Sequence, residues 1–134
     1  MSKKLAIALL LVFVSGCSMR LHEAPPEDVD KAAALFFQRL NAAEYETIYK
    51  DTAKKFKQNQ TKEKILESLK ELTAKGRVQQ FQRMKMSFEG EGADTMAVPV
   101  FSTLYEQARG ETTLYFVDEN GEWKLIGFAF KQRG

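Results

Sequence analysis

Ile65-Leu66-Glu67-Ser68-Leu69-Lys70-Glu71-Leu72-Thr73-Ala74-Lys75-Gly76-Arg77-Val78-Gln79-Gln80-Phe81-Gln82-Arg83-Met84 is the stretch that decides the fold. Up to Leu72 the apolar residues Ile65, Leu66, Leu69 and Leu72 recur at helical spacing and form one stripe. Thr61, just upstream, is a natural N-cap, because its hydroxyl can accept an orphan backbone N–H of the first turn. Gly76 is a natural stop, since glycine enters the left-handed conformation without a β-carbon clash. Beyond it the period changes to alternation. Val78, Met84, Met86 and Phe88 share even parity while Phe81 is odd, and a bulge near Gln79 to Gln82 reconciles them. The first strand is therefore expected from about Arg77 to Glu89.

Downstream the chain reads as further strands. Gly90-Glu91-Gly92 turns it, and a second strand runs from about Thr95 to Gln107, with Pro99 implying an edge position or a kink. Gly110 marks the next turn, and Thr112 to Val117 is a third strand. Asn120-Gly121 is a strong hairpin signal because both residues tolerate positive φ. A fourth strand follows from Trp123 to Lys131.

Upstream the pattern is helical. Asp28 is a candidate N-cap, and Val29, Ala32, Ala33, Phe36, Phe37 and Leu40 make one apolar face up to Asn41. A second helix is expected from Ala43 to about Phe56, with Tyr45, Ile48, Tyr49, Thr52 and Phe56 on one side. Three helices followed by a four-stranded antiparallel meander make an α+β domain with the helices on the sheet. In the last two strands apolar residues fall on both faces. Trp123, Leu125 and Ala129 oppose Ile126, Phe128 and Phe130, and Leu114 and Phe116 oppose Tyr115 and Val117. A sheet with one wet face alternates more cleanly, so a cover is expected on both faces: the sheet's own curl, a dimer mate or a partner.

The beginning of the chain is of another kind. Lys3-Lys4 precedes a ten-residue apolar run from Leu5 to Val14, the layout of a secretory signal and about half the length a membrane span requires. Val14-Ser15-Gly16-Cys17 then resembles the bacterial lipobox. That resemblance implies cleavage before Cys17, a diacylglyceryl thioether on its sulfur and acylation (palmitate) of its amine. Residues 1–16 are thus expected to be a lipoprotein signal peptide, 17–26 a lipidated cysteine and tether stiffened by Pro25-Pro26, and 27–134 a single domain. Ser18, rather than aspartate, follows the cysteine. By resemblance to Gram-negative sorting, this implies an outer-membrane anchor facing the periplasm.

Composition narrows the chemistry. Cys17 is the only cysteine and His22 the only histidine of the 134 residues, and both precede the domain. A disulfide framework, a Cys/His zinc site and a Ser-His-Asp or Cys-His arrangement are excluded from it, and no metal or cofactor is expected. The formal net charge of +2 is carried by Lys3 and Lys4, so the rest of the chain balances. A neutral domain bound for the envelope disfavours nucleic acid as a partner. Charge is nonetheless uneven: residues 54–85 hold ten bases and three acids, whereas residues 86–130 hold eight acids and two bases. That is read first as two halves balancing each other, and second as a basic patch for anionic headgroups or an acidic partner.

From Asp28 to Phe130 the order of elements resembles the nuclear transport factor 2-like superfamily, a cystatin-like cone. The likeness rests on the Ala/Phe-rich first helix (Ala32-Ala33-Ala34-Leu35-Phe36-Phe37), the short second helix after Ala43-Glu44-Tyr45, the Leu-striped third helix and the Asn120-Gly121-Glu122-Trp123-Lys124-Leu125 ending. The resemblance implies a strongly curved sheet wrapped on a helix, with a cavity at the open end. Phe37, Tyr45, Tyr49, Phe101, Tyr115 and Phe128 are its candidate lining. Members of that superfamily that are enzymes place Asp, His or Tyr inside the cone. Here the aspartates fall where caps and turns are expected, and no acid–base pair stands out, so no catalytic residue is assigned. The expectation is a non-catalytic binding module for a protein partner or a small apolar ligand. The alternatives are a lyase or isomerase using the cone and a structural homodimer.

Overall fold

The computed structural model describes residues 24–91 and 95–133. The signal segment, Val14, Ser15, Gly16, Cys17, His22 and Asp94 lie outside the described residues. Four helices precede four strands: α1 (Asp28–Asn41), α2 (Tyr45–Lys50), α3 (Lys54–Asn59), α4 (Lys62–Thr73), β1 (Val78–Glu89), β2 (Met96–Tyr105), β3 (Arg109–Glu119) and β4 (Glu122–Gln132).

Helix α1 buries Val29, Ala33, Phe36, Phe37 and Leu40, the expected stripe. Asp28 is its first helical residue rather than its cap. With Asp30 it places negative charge in the first turn, where the helix dipole favours it. At the other end the Asn41 side chain clamps the start of the sheet, its Nδ2 donating to Val78 O (3.0 Å) and its Oδ1 accepting from Val78 N (2.8 Å). The chain leaves α1 through Ala43, which holds a left-handed φ of 56°.

The second expected helix is two helices. Thr52 Oγ1 donates back to Tyr49 O (2.7 Å), and Ala53 turns extended and donates its N–H to Leu125 O on β4 (2.8 Å). That tertiary bond wins over continuing the helix: Ala53 is fully buried, so its N–H needs a partner there. Helix α4 is as expected. Thr61 Oγ1 accepts from Lys64 N (3.2 Å), Ile65, Leu69 and Leu72 are buried, and Gly76 has φ 93°.

The strands pair in sequence order, β1-β2-β3-β4, all antiparallel. The Asn120-Gly121 hairpin is present, with φ 56° and 85° between the paired Glu119 and Glu122. Pro99 lies inside the sheet rather than at its edge. It faces Met86 of β1, and the ladder to β3 is interrupted between the pairs Ala97–Phe116 and Val100–Thr113.

The expected curved, cystatin-like cone of the nuclear transport factor 2-like kind is not formed. β1 and β4 remain separate edges of an open, uncurled sheet, and the helices pack on one of its faces. β4 bears no second large apolar face that a curl would have to cover, and this turns on one residue. The β3–β4 register shifts after Phe116–Leu125, so that Tyr115 faces Gly127 and Ile126 is the extra residue. An extra residue resets the alternation. Leu125 now shares a face with Phe128 and Phe130, opposite Phe116, Leu114 and Thr112. The large apolar residues of β4, Leu125, Phe128 and Phe130, are thus gathered on the face that meets the helices, while Tyr115 and Val117 of β3 stay on the other. β1 has two such shifts, at Gln79 and Met84, which bring Val78, Phe81, Met86 and Phe88 onto that inner face.

The core forms between this face and the helices, from Phe36, Phe37, Ile65, Leu69, Phe101, Tyr105, Leu114 and Phe116 among others. Its polar members satisfy one another: Thr103 Oγ1 and Tyr105 Oη lie 2.8 and 2.9 Å from Thr112 Oγ1. Burial pushes the Tyr105 phenol above its ordinary value, with its threonine partners opposing that rise. The outer face carries Val98, Val100, Tyr115 and Val117 on the two central strands.

Candidate functional site

The most enclosed concavity among the described residues is a groove of about 270 Å³ between α1, the end of α2 and β4. Each side of it follows from local structure. α1 turns Leu35, Phe36 and Arg39 toward it at helical spacing, and α2 adds Ile48 and then Asp51 as the helix stops. β4 is an edge strand and supplies Glu122, Trp123, Lys124 and Leu125. The floor is apolar: Phe36, Ile48, Phe116 and Leu125 are buried, and Leu35 remains 39 % exposed at the mouth.

The rim is a four-residue ion network. Asp51 accepts from Arg39 Nη1 (3.0 Å) and from Lys124 Nζ (2.6 Å), and Lys124 Nζ also reaches Glu122 (3.1 Å). Burial pushes the Asp51 carboxyl up, but the hydrogen bonds and charges of Lys124 and Arg39 outweigh it, and the net shift is downward. Lys124 is held above its ordinary value, first by its bond to Asp51, against the opposing effect of burial. Asp51, expected to be a capping or loop residue, does follow α2. It also bridges α1 to β4, joining positions 12 and 73 residues apart in sequence.

Trp123 links the groove to the chain that precedes the domain. Its ring borders the groove while its Nε1 donates to Pro25 O (2.7 Å). Ala24 is fixed beside it, its N–H donating to Asp118 Oδ2 (3.1 Å). Ala24 and Pro25 thus lie against the β3–β4 hairpin.

The six residues named for a cone lining are dispersed. Phe37 and Phe101 meet edge to face in the core (5.4 Å), and Phe128 packs on Phe36 (5.9 Å). Tyr45 Oη lies 2.9 Å from Thr73 Oγ1, joining α2 to α4. Tyr49 lies beneath the ammonium groups of Lys57 and Lys62, each 5.3 Å from its ring. Tyr115 is on the outer face over Gly127, where a β-carbon would stand 3.6 Å from its ring. None of the six lines the α1–β4 groove. No motif marked Arg39, Asp51, Trp123 and Lys124; they meet only because α1, the α2–α3 break and an edge strand converge.

Four of the ten bases of the basic segment are engaged within the domain. Lys62 pairs with Glu46, Arg83 with Asp30, Lys57 donates to Lys50 O, and Lys75 stands over the Phe130 ring. Among the described residues no group of three or more His, Cys, Asp or Glu is placed to hold a metal ion. Among them, too, no helix is long and apolar enough to cross a membrane. Compared with known proteins, the chain matches no family model and no curated protein.

Proposed function

We propose that this protein is a lipid-anchored envelope protein whose domain is a non-catalytic binding module, taking an apolar group of a partner or small ligand into the α1–β4 groove. The groove itself carries the reading: an apolar floor with Leu35 standing open at its mouth, enclosed by charged side chains already held in place by one another. A site whose polar groups are pre-positioned loses little freedom when it is occupied. At about 270 Å³ it lies just under the range that takes drug-sized ligands, and suits a side chain or a small molecule. The lipobox-like Val14-Ser15-Gly16-Cys17 supports an anchor on Cys17, and Ser18 supports the outer membrane, facing the periplasm.

The test is native mass spectrometry of residues 18–134 exported to the periplasm without the leader, with crosslinking of the anchored form in the envelope. A retained small-molecule mass, or a crosslink from a probe at Leu35, is the expected result. A ligand-free monomer that also yields no crosslink from this groove would sink the reading.

A further inference from the structure

We propose that the α1–β4 groove recognises a basic, aliphatic segment of a partner protein: an aliphatic side chain on the floor with a lysine or arginine beside it at the rim. This rests on the binding-module reading above and assigns its partner chemistry. The argument is the asymmetry of the rim. Its two cations are largely covered, with Arg39 and Lys124 side chains 23 % and 22 % exposed. Its two carboxylates face outward, Asp51 at 46 % and Glu122 at 70 %. The cations donate to Asp51 and Glu122, and each carboxylate oxygen retains a second lone-pair direction. An arriving side chain therefore meets acceptors first. An ammonium or guanidinium joins the network as a further donor, while an anionic group is set against Asp51 and Glu122, where like charges oppose association.

The floor adds the second requirement. Leu35 at the mouth and Ile48 and Leu125 beneath it are aliphatic, with Phe36 and Phe116 behind them. They offer no polar side-chain atom to an incoming group, so the inserted part is apolar. The volume holds one or two aliphatic side chains, which suits a short segment rather than a whole helix.

Trp123 borders the groove and is the only tryptophan of the protein, so its fluorescence reports occupancy directly. The full chain, held in zwitterionic lipid nanodiscs, is titrated with three capped pentapeptides: alternating leucine and lysine, alternating leucine and glutamate, and alternating serine and lysine. The expected result is a saturable change with the leucine–lysine peptide at least about tenfold tighter than with either of the others. Glu122→Lys, at an exposed position where the fold is retained, lowers that preference by about threefold, the scale of one solvent-screened charge pair. Leu35→Ser weakens the leucine peptides and leaves the serine peptide unchanged. Equal or tighter binding of the leucine–glutamate peptide overturns the charge assignment and leaves the groove as a binding site. Absence of any saturable response overturns both this proposal and the reading on which it rests.

Discussion

The two edge strands of the sheet are treated in opposite ways. β4 is held from three directions: Ala53 donates to Leu125, Lys124 reaches Asp51 at the end of α2, and Trp123 takes the Pro25 carbonyl. β1 is held at its start by the Asn41 amide, along its length by Arg83 on Asp30 and by Phe81 against Phe37. Phe88 also meets the Trp123 ring (6.2 Å), yet three of the exposed large apolar side chains, Phe81, Met84 and Phe88, belong to this strand. A free edge invites pairing with other chains, and the two bulges of β1 disrupt the flat ladder such pairing needs. One edge is tied to several elements at once. The other is tied to α1 and is otherwise protected by its own irregularity. The groove lies on the first kind of edge, where helices and strand are fixed together.

The largest test of this contrast is a matched pair of truncations. Leu125→Ala removes a buried side chain under the α1–α3 side and is expected to cost about 2–5 kcal/mol, read by urea unfolding. Phe81→Ala removes a larger side chain, yet from an edge where it is 42 % exposed, and should cost less than Leu125→Ala. A reversed order would show that β1 is the better-anchored edge. Asn41→Ala comes next. It leaves the Val78 N–H and C=O without their clamp and should cost about 1–3 kcal/mol, with hydrogen exchange rising first at the start of β1.

Smaller still is the ion network. Asp51→Asn should cost at most about 1 kcal/mol, because the side chain is nearly half exposed and its pairs are screened. Its carboxyl is depressed below the ordinary value of 3.8, so its contribution is complete above that pH and is lost as pH falls through the folded-state value. Lys124 is raised above 10.5, so its contribution is complete below that pH and fades as pH rises through the folded-state value. Urea midpoints measured across both windows should converge between wild type and Asp51→Asn at the acid end. The smallest effect is expected from Met84→Lys. At a bulge residue that is 51 % exposed, it should shift stability by no more than about 0.5 kcal/mol. A larger loss would mean that Met84 is covered in solution.

Much of the architecture was legible in local chemistry. Thr61, Gly76 and Asn120-Gly121 each act through a backbone requirement that a few residues satisfy, and the structure uses all of them as expected. The failures have a common origin in long-range pairing. Residues 43–56 have a continuous helical stripe, and only the Leu125 carbonyl, 72 positions downstream of Ala53, explains why the helix breaks. Ile126 carries no mark of being an extra residue; the shift is set by how β3 and β4 pack on the helices. Without it β4 reads as two-faced and calls for a cover on its second face, of which the sheet's own curl is one. The groove was hidden for the same reason, since Arg39, Asp51 and Lys124 have no local pattern and meet only in three dimensions.

The Trp123–Pro25 bond has a consequence for how far the domain can roam. With Ala24 and Pro25 docked on the hairpin, a lipid on Cys17, as proposed, would stand seven residues from the domain, a span of at most about 25 Å. A domain so anchored would meet a partner tethered within the same reach at an effective concentration on the order of millimolar. A contact too weak to persist in dilute solution can then be occupied most of the time. Release of Pro25 from Trp123 would lengthen the leash, widen the searched volume and dilute the same contact.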